Sequence, residues 1–377
     1  MSRFDYIYVP KVVGRRAELT ALSDLGLDVK PWIKPVIHVP ERTWNREKSK
    51  YTSTSEDHIE KFVASYCESW WKYPSWIRVE NNTVGTDTVQ GVHVSEFLNR
   101  KLLENGANTS LLVRLNDPPN LVDSLLQTAN CRSSEMGILV TIEELMKDEF
   151  HNKLRKFIDQ RKSRCLRFDL ILDLRNPRYG GLFAMLVWNR LNDNRVLGSI
   201  SRIVVVGTSV PQGFSSIVEG IGYLERGEWK FHKTLVSEYA GPSQVDVVFR
   251  DYGTVHPSFQ LGERVRKAFA KLCYTEKDRW ITLKRGRFHN DPEQMRDICL
   301  DVVSDSRIEY PGREFSKGDD LIFRCGTGES PVGTLGDWKC ASLNHHFTVV
   351  IKDMLELTDN SHRIARISIL PDLFARE

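Results

Sequence analysis

The chain has 377 residues, 41% of them hydrophobic, and it carries 53 Lys and Arg against 50 Asp and Glu. A chain of this length can bury a large core as one big domain with additions or as two domains. The near balance of charge argues against nucleic acid and membrane surfaces as partners, and no apolar run approaches the ~20 residues of a membrane span.

Cysteine usage and the N-terminal residues indicate the compartment. The seven cysteines are scattered and none is spaced C-x-x-C, which argues against a zinc site and a disulfide framework. The first ten residues, MSRFDYIYVP, lack the apolar core of a signal peptide. We therefore expect a cytoplasmic protein with reduced thiols. No motif indicates a cofactor, and the oligomeric state stays open.

Eight short apolar runs recur along the first 257 residues, and helix-length segments separate most of them. The runs begin at Tyr6, Ile33, Trp76, Leu111, Gly137, Phe168, Ile200 and Val245. Eight strands that alternate with helices predict a (β/α)8 barrel of the TIM type, whose typical size is about 250 residues. An open doubly wound sheet has the same local pattern and stays an alternative.

Residues 258–377 differ in sequence pattern from the first 257 residues, and we expect them to form an α+β extension packed on the barrel. Trp280–Leu283 predicts a strand, and the apolar positions from Met295 to Val303 predict a helix. Leu321–Phe323 is strand-like, and the stretch after Asn344 predicts a final amphipathic helix. No linker-like composition separates the extension from the barrel at residues 1–257.

Polar residues lie at or just past the C-terminal ends of the predicted strands. They are Lys11, Glu80, Arg114, Glu143, Asp173 with Arg175, and Asp251 with Tyr252 and His256. In a parallel barrel these strand ends converge on one mouth. Carboxylates beside Arg, Lys and Tyr suit acid–base catalysis, phosphate chemistry or metal binding. The alternative for each of them is an ordinary salt-bridged residue at the rim.

Four residues are candidate metal ligands: Asp173, Asp251, His345 and His346. Adjacent histidines do not easily face one metal ion. The favoured alternative for the histidine pair is therefore the start of a helix near Asn344, with one histidine packed and one exposed.

Several short segments, in order along the chain, resemble the "beta protein" family of bacteriophages and prophages over about residues 6–351. These segments are Tyr8–Lys11, Ala17–Leu22, Ile33–Ile37, Asp169–Asp173, Asp251–Gly253 with His256-Pro257, and Trp338 followed by Asn344–Thr348. The resemblance implies an origin in a phage, a satellite phage or a bacterial defence island. It also implies an immunity role, in which the protein restrains a companion phage-exclusion protein that kills the cell. It supplies no catalytic residues.

Two hypotheses about function follow. The first is an antitoxin-like immunity component that binds a toxic protein partner encoded nearby, which rests on the family resemblance and on the absence of a complete catalytic motif. The second is a barrel enzyme such as a hydrolase or phosphodiesterase, which rests on the polar strand ends, because a barrel alone does not decide chemistry. If the polar residues line one pocket, the enzyme hypothesis gains.

Overall fold

The computed structural model describes residues 6–45, 47–80, 87–128, 135–177, 179–192, 198–211, 217–240, 245–256 and 268–368. Pro257, the last residue of the predicted barrel segment, lies outside this part of the chain. Eight parallel strands form the main sheet, each paired with its neighbours in chain order. They are β1 (Lys11–Val13), β2 (Val36–His38), β3 (Ser75–Arg78), β4 (Thr109–Arg114), β5 (Glu135–Thr141), β6 (Arg167–Asp173), β7 (Arg202–Gly207) and β8 (Asp246–Asp251).

The sheet curls until its first and last strands meet. Tyr8, just before β1, makes parallel bridges to Ile33 on one side and to Phe249 of β8 on the other. The amide of Val9 also donates to the Phe249 carbonyl oxygen at 3.0 Å. The nearly closed parallel barrel predicted from the sequence is therefore confirmed. The predicted first strand, Tyr6–Pro10, contributes these bridges, and the regular ladder begins only at Lys11 because Pro10 has no N–H to donate.

Helices follow most of the barrel strands and cover the outside of the barrel. They span Arg16–Ser23, Ser55–Ser69, Val94–Glu104, Pro119–Thr128, Ile142–Leu145, Phe150–Asp159, Gly181–Leu191 and Gly227–Thr234, and a π-helical turn spans Leu235–Ala240. Residues Lys30–Trp32 form a 3-10 turn, and two small hairpins pair Trp44–Asn45 with Lys50–Tyr51 and Thr88–Val89 with Val92–His93.

The inside of the barrel is filled by apolar side chains from the strands. This layer consists of Tyr6, Val9, Val36, Trp76, Leu112, Leu139, Ile171, Val204 and Val248. Gly137 also points inward, and a Cβ atom there would lie within 3.0 Å of Leu112, Ile171 and Trp76. The packed interior leaves the two ends of the barrel for polar groups.

The C-terminal part adds a three-stranded antiparallel sheet and three helices. Arg279–Arg287 is the central strand, flanked by Gly220–Glu225 and Phe269–Thr275. Gly220–Glu225 lies within the predicted barrel segment of the sequence but pairs with this second sheet. The helices span Gln294–Ser304, Lys317–Gly326 and Leu335–Ser368, and the last of these is called the C-terminal helix.

Leu321–Phe323, predicted as a strand, lies inside the helix Lys317–Gly326, so that prediction was wrong. The Ser316 side chain caps this helix by accepting the Asp319 amide at 3.1 Å. The C-terminal helix packs on the barrel, because Leu343 and Phe347 share one core cluster with Leu22. None of the helices in the described residues combines the length and apolar character that a membrane crossing requires.

Candidate active site at the barrel mouth

The alternation of side chains along the strands places a polar cluster at the C-terminal mouth of the barrel. Successive side chains on a strand point to opposite faces, so a residue two positions beyond an inward one also points inward. The inward apolar residues Val36, Trp76, Leu112, Ile171 and Val248 are each followed in this way by a polar one. These polar residues are His38, Arg78, Arg114, Asp173 and Arg250.

Lys11, Asp173 and Tyr252 form one contact group in this mouth. The Lys11 ammonium nitrogen lies 3.7 Å from Asp173 Oδ2 and 4.7 Å from the centre of the Tyr252 ring. The Tyr252 hydroxyl donates to Asp173 Oδ1 at 2.5 Å, and the Arg175 amide donates to the same oxygen at 2.9 Å. The sequence therefore identified three residues that the fold brings together.

The electrostatics of this group differ from those of exposed side chains. Burial lowers the pKa of Lys11; Asp173 opposes the shift and the charge of Arg250 adds to it. Burial alone would raise the pKa of Asp173, but Lys11, the Tyr252 hydroxyl and Arg250 together lower it. Asp173 is therefore held as a carboxylate beside an amine that loses its proton more readily than usual.

Glu80 links two other mouth residues. One carboxylate oxygen accepts from His38 Nδ1 at 2.8 Å, and the other accepts from Arg114 Nη2 at 2.8 Å. Burial lowers the pKa of His38 to about 4, and the charge of Lys11 adds to the shift. His38 is therefore neutral near pH 7 and donates to Glu80 through Nδ1. The sequence analysis identified Glu80 and Arg114 and missed His38.

Arg78 and Asp117 form a buried, two-pronged ion pair next to this group. Arg78 Nη1 and Nη2 donate to the two Asp117 oxygens at 2.8 and 2.9 Å. Asp117 Oδ2 also accepts from the Arg114 amide at 2.7 Å. Planar bidentate pairs of this kind fix the geometry of both side chains. The pair therefore positions the end of β3 against the loop after β4.

Asp251 does not face the mouth, which corrects the expectation that it lies beside Asp173. It follows Arg250 on β8 and so points to the opposite face of the strand. Its oxygens accept from the Tyr8 hydroxyl at 2.6 Å, from the Gly253 amide at 2.9 Å and from His346 Nε2 at 2.8 Å. Asp251 is completely buried. The cation that β8 directs into the mouth is Arg250.

The two candidate histidines also lie away from the mouth, and both are buried in the C-terminal helix rather than at its start. His345 contacts Asp319 Oδ2 through Nδ1 at 2.9 Å and the Thr275 carbonyl through Nε2 at 2.8 Å. His346 contacts Asp251 and, through Nδ1, the Thr275 hydroxyl at 2.9 Å. Asp173 thus lies apart from the other three candidate metal ligands, and the two histidines contact different carboxylates, Asp319 and Asp251. Within the described residues, no group of three or more His, Cys, Asp or Glu side chains could hold a metal ion.

The remaining candidates lie at the edge of the mouth or beyond it. Glu143 is exposed, and a hydrogen bond with the Thr141 side chain lowers its pKa. Arg175 is exposed and has a positive φ of 59°. Its backbone amide contributes a contact to Asp173. His256 is half-buried in the loop after β8, where burial lowers its pKa.

A second buried polar cluster closes the opposite end of the barrel. Lys34 Nζ donates to Glu135 at 2.5 Å and to Ser110 at 3.1 Å, and the Tyr6 hydroxyl donates to Asp169 at 2.5 Å. Burial, with a contribution from Glu135, raises the pKa of Asp169 to about 7. Residues at this end of a barrel usually contribute stability rather than catalysis. The C-terminal mouth is therefore the candidate active site.

The family model for Beta protein matches residues 8–352 of this chain. The chain belongs to the Beta protein family. The family resemblance seen in the sequence is therefore confirmed for the Beta protein family itself. No similar protein was found among curated proteins.

Two solved structures are similar to this Beta protein family member. Deoxyribose phosphate aldolase from Aeropyrum pernix has 13% identity, with 61% of this chain and 81% of that chain covered and a TM-score of 0.33. The tryptophan synthase alpha chain from Legionella pneumophila subsp. pneumophila has 10% identity, with 54% and 79% covered and a TM-score of 0.24. Neither likeness bears on the chemistry of the mouth.

Proposed function

We propose that this member of the Beta protein family is a barrel enzyme in which Lys11 is the proton-transferring or nucleophilic amine. The observation that carries the proposal is the Lys11 contact group, in which the ammonium nitrogen lies 3.7 Å from Asp173 Oδ2. A lysine is activated when burial and a neighbouring cation lower its pKa. Burial and Arg250 both act on Lys11 in this direction.

The other members of the group have supporting roles. Asp173 stays ionised and orients the amine, while Tyr252 holds the carboxylate through its hydroxyl. The Lys11 side chain keeps 24% of its surface exposed and Asp173 keeps 11%, so solvent and substrate reach the group from the rim. This arrangement fits general base or nucleophilic chemistry, which includes the hydrolase and phosphodiesterase classes considered from the sequence.

Two measurements on Lys11 test the enzyme proposal. Amine-selective acetylation followed over pH should label Lys11 with a midpoint below that of the exposed Lys230. A panel of chromogenic phosphodiesters, phosphomonoesters and esters should identify a turnover that Lys11→Met abolishes and the matched control Lys230→Met retains. Equal labelling midpoints for the two lysines, or a turnover that Lys11→Met leaves intact, would reject the role of Lys11.

We also propose that the protein is an immunity component, phage- or prophage-encoded and antitoxin-like, that binds a toxic protein encoded nearby. Family membership motivates this proposal, and an exposed apolar surface supports it. On the helix Gly181–Leu191, Leu182, Met185 and Leu186 expose 81%, 40% and 48% of their surfaces. Val236, in the π-helical turn that contacts this helix, exposes 36% of its surface. Contiguous exposed apolar side chains of this kind commonly mark protein-binding surfaces.

Co-expression tests the immunity proposal. The protein alone should be harmless, and it should relieve the growth arrest caused by the product of a neighbouring gene. The double change Leu182→Asp and Leu186→Asp should remove this relief. Leu300→Asp is the matched control, because Leu300 is 46% exposed on a different helix. Growth arrest by the protein alone, without relief of any neighbour's toxicity, would contradict the proposal.

A further inference from the structure

Arg250 is a buried cation without a hydrogen-bond partner in the described part of the chain. The residue is 0% exposed, and Nε, Nη1 and Nη2 all lack a partner there. A guanidinium has five N–H donors and keeps its charge in proteins. Leaving such a group buried and unpaired is strongly unfavourable, because water is removed and nothing replaces it. The other two arginines of the mouth, Arg78 and Arg114, each donate to a carboxylate.

The carboxylates near Arg250 are held by other donors. Asp173 and Glu80 both act electrostatically on Arg250. Asp173, however, accepts from Tyr252 and from the Arg175 amide, and Lys11 lies beside it. Both oxygens of Glu80 are similarly engaged, by His38 and Arg114. The donors of Arg250 are therefore engaged by none of the carboxylates around it.

The exposure of the side chains defines the approach to Arg250. At the rim, Arg114 and Glu80 expose 33% and 29% of their side chains, and Lys11 exposes 24%. The exposure falls to 11% at Asp173 and to 0% at Arg250. Arg250 therefore lies at the floor of the mouth, with Lys11 above it as a second nitrogen donor.

We propose that Arg250 is the fixed cation of an oxyanion subsite that holds a phosphate or carboxylate group of the substrate. This proposal rests on the proposed function, since it assigns the substrate class to the same mouth. The planar fork of a guanidinium matches the paired oxygens of either group. An oxyanion there would supply the hydrogen bonds that Arg250 lacks.

Calorimetric titration of the full chain tests the subsite. The titrants are inorganic phosphate, sulfate, acetate and malonate, with chloride adjusted to keep the ionic strength constant. We expect at least one of these anions to bind the wild-type protein and Arg250→Met to weaken that binding about ten- to hundredfold. Arg307→Met, which changes an arginine side chain that is 64% exposed, is the matched control and should leave binding unchanged. The order of affinity between phosphate and the carboxylates separates the two kinds of substrate group.

A thermal measurement without added anions provides an independent readout. Arg250→Met removes an unpaired buried charge, so its melting temperature should equal or exceed that of the wild-type protein. If this variant does not fold, Arg250→Lys keeps the charge without the fork and should still weaken anion binding. The Arg250 Nε–H resonance of the wild-type protein should also shift on addition of the bound anion.

Three results would overturn the subsite. The first is that none of the anions binds. The second is equal binding to the wild-type protein and to the Arg250 variant that folds, which would mean an adventitious ion only. The third is an Arg250 Nε–H resonance that does not shift when the anion is added. The two proposals fail in different ways. Arg250-dependent binding together with an ordinary Lys11 labelling midpoint would keep the subsite and reject the enzyme. A Lys11 labelling midpoint below that of Lys230, without anion binding, would support the enzyme proposal and reject the subsite.

Discussion

Asp251 and His346 are in direct contact although 95 residues separate them in the chain, with His346 Nε2 2.8 Å from Asp251 Oδ2. The same carboxylate accepts from the Tyr8 hydroxyl at 2.6 Å. Tyr8 bridges to β8 where the barrel closes, so one buried carboxylate ties together the first strand, the last strand and the C-terminal helix. We infer from these contacts that Asp251 has a structural role at the seam.

Asp251→Asn should lower the free energy of unfolding by about 2–4 kcal/mol, because the amide removes the charge and replaces one of the two acceptor oxygens with a donor. Urea denaturation at pH 7 measures this loss. Asp278→Asn removes a carboxylate that is 55% exposed, and it should change stability by less than about 1 kcal/mol. Unchanged stability in Asp251→Asn with loss of biological activity would instead make Asp251 functional.

Asp251 also shows what the sequence could predict. Both faces of a strand in a parallel barrel are buried, so the run from Val247 to Phe249 is continuously apolar and identifies a strand. The same continuity conceals which residues point inward. The sequence therefore predicted the barrel and the strand end correctly. It predicted wrongly that Asp251, and not Arg250, lies in the mouth. His38 and Arg78 were missed for the same reason.

The second sheet was harder to predict than the barrel. Phe269–Thr275 includes a lysine and a cysteine, and Gly220–Glu225 contains two glycines, so neither has a strong strand pattern. Both become strands by pairing with Arg279–Arg287, a long-range contact that local patterns do not encode. Leu321–Phe323 failed in the opposite direction, because a short apolar run fits a buried helix as well as a strand.

The free energy of unfolding should decrease as the pH falls, partly because of His232. Burial lowers its pKa to about 3, whereas an unfolded histidine titrates near 6.5. Between these values the unfolded chain binds one more proton than the folded one, so the free energy of unfolding decreases as the pH falls.

His232→Phe should therefore flatten this pH dependence by about 1.4 kcal/mol per pH unit between pH 6 and pH 4. Phenylalanine suits the site, since His232 packs against Trp229 and Phe249. Urea denaturation at several pH values gives the slope. The control variant His289→Asn, at an exposed position, should leave this slope unaltered. Identical slopes for the wild-type protein and His232→Phe would show that His232 takes up its proton in the folded state.

Asp353→Ala should destabilise the docking of the C-terminal helix by about 3 kcal/mol, because breaking a buried pair leaves its partner uncompensated. Asp353 Oδ2 accepts from Arg226 Nη1 at 2.9 Å, and Arg226 is 0% exposed. The double variant Arg226→Met and Asp353→Leu should recover part of the loss. Chemical denaturation measures both. Glu356→Ala, which removes an exposed partner of Lys277, is the control and should have little effect.

Gly318→Ala should destabilise the protein by about 1–3 kcal/mol through overpacking. A Cβ atom at this position would lie 2.3 Å from the Ala341 carbonyl oxygen, so the helix containing Gly318 and the C-terminal helix would have to separate. Gly181→Ala is the matched control in another helix, where nothing lies within 4 Å of the added atom. That change should be neutral or stabilising by up to about 1 kcal/mol. Thermal unfolding of both variants compares the two sites.

The position of His346 in the chain has a consequence for the order of folding during synthesis. All eight barrel strands lie before residue 252, yet the barrel seam at Tyr8 and Asp251 is completed by a side chain that the ribosome adds 95 residues later. Domains generally fold as units while the chain is being made. Here the nascent barrel must wait with an incompletely paired carboxylate at its seam until the C-terminal helix emerges. The C-terminal helix, which is translated after all eight strands, therefore completes the pairing of Asp251 at the closed seam.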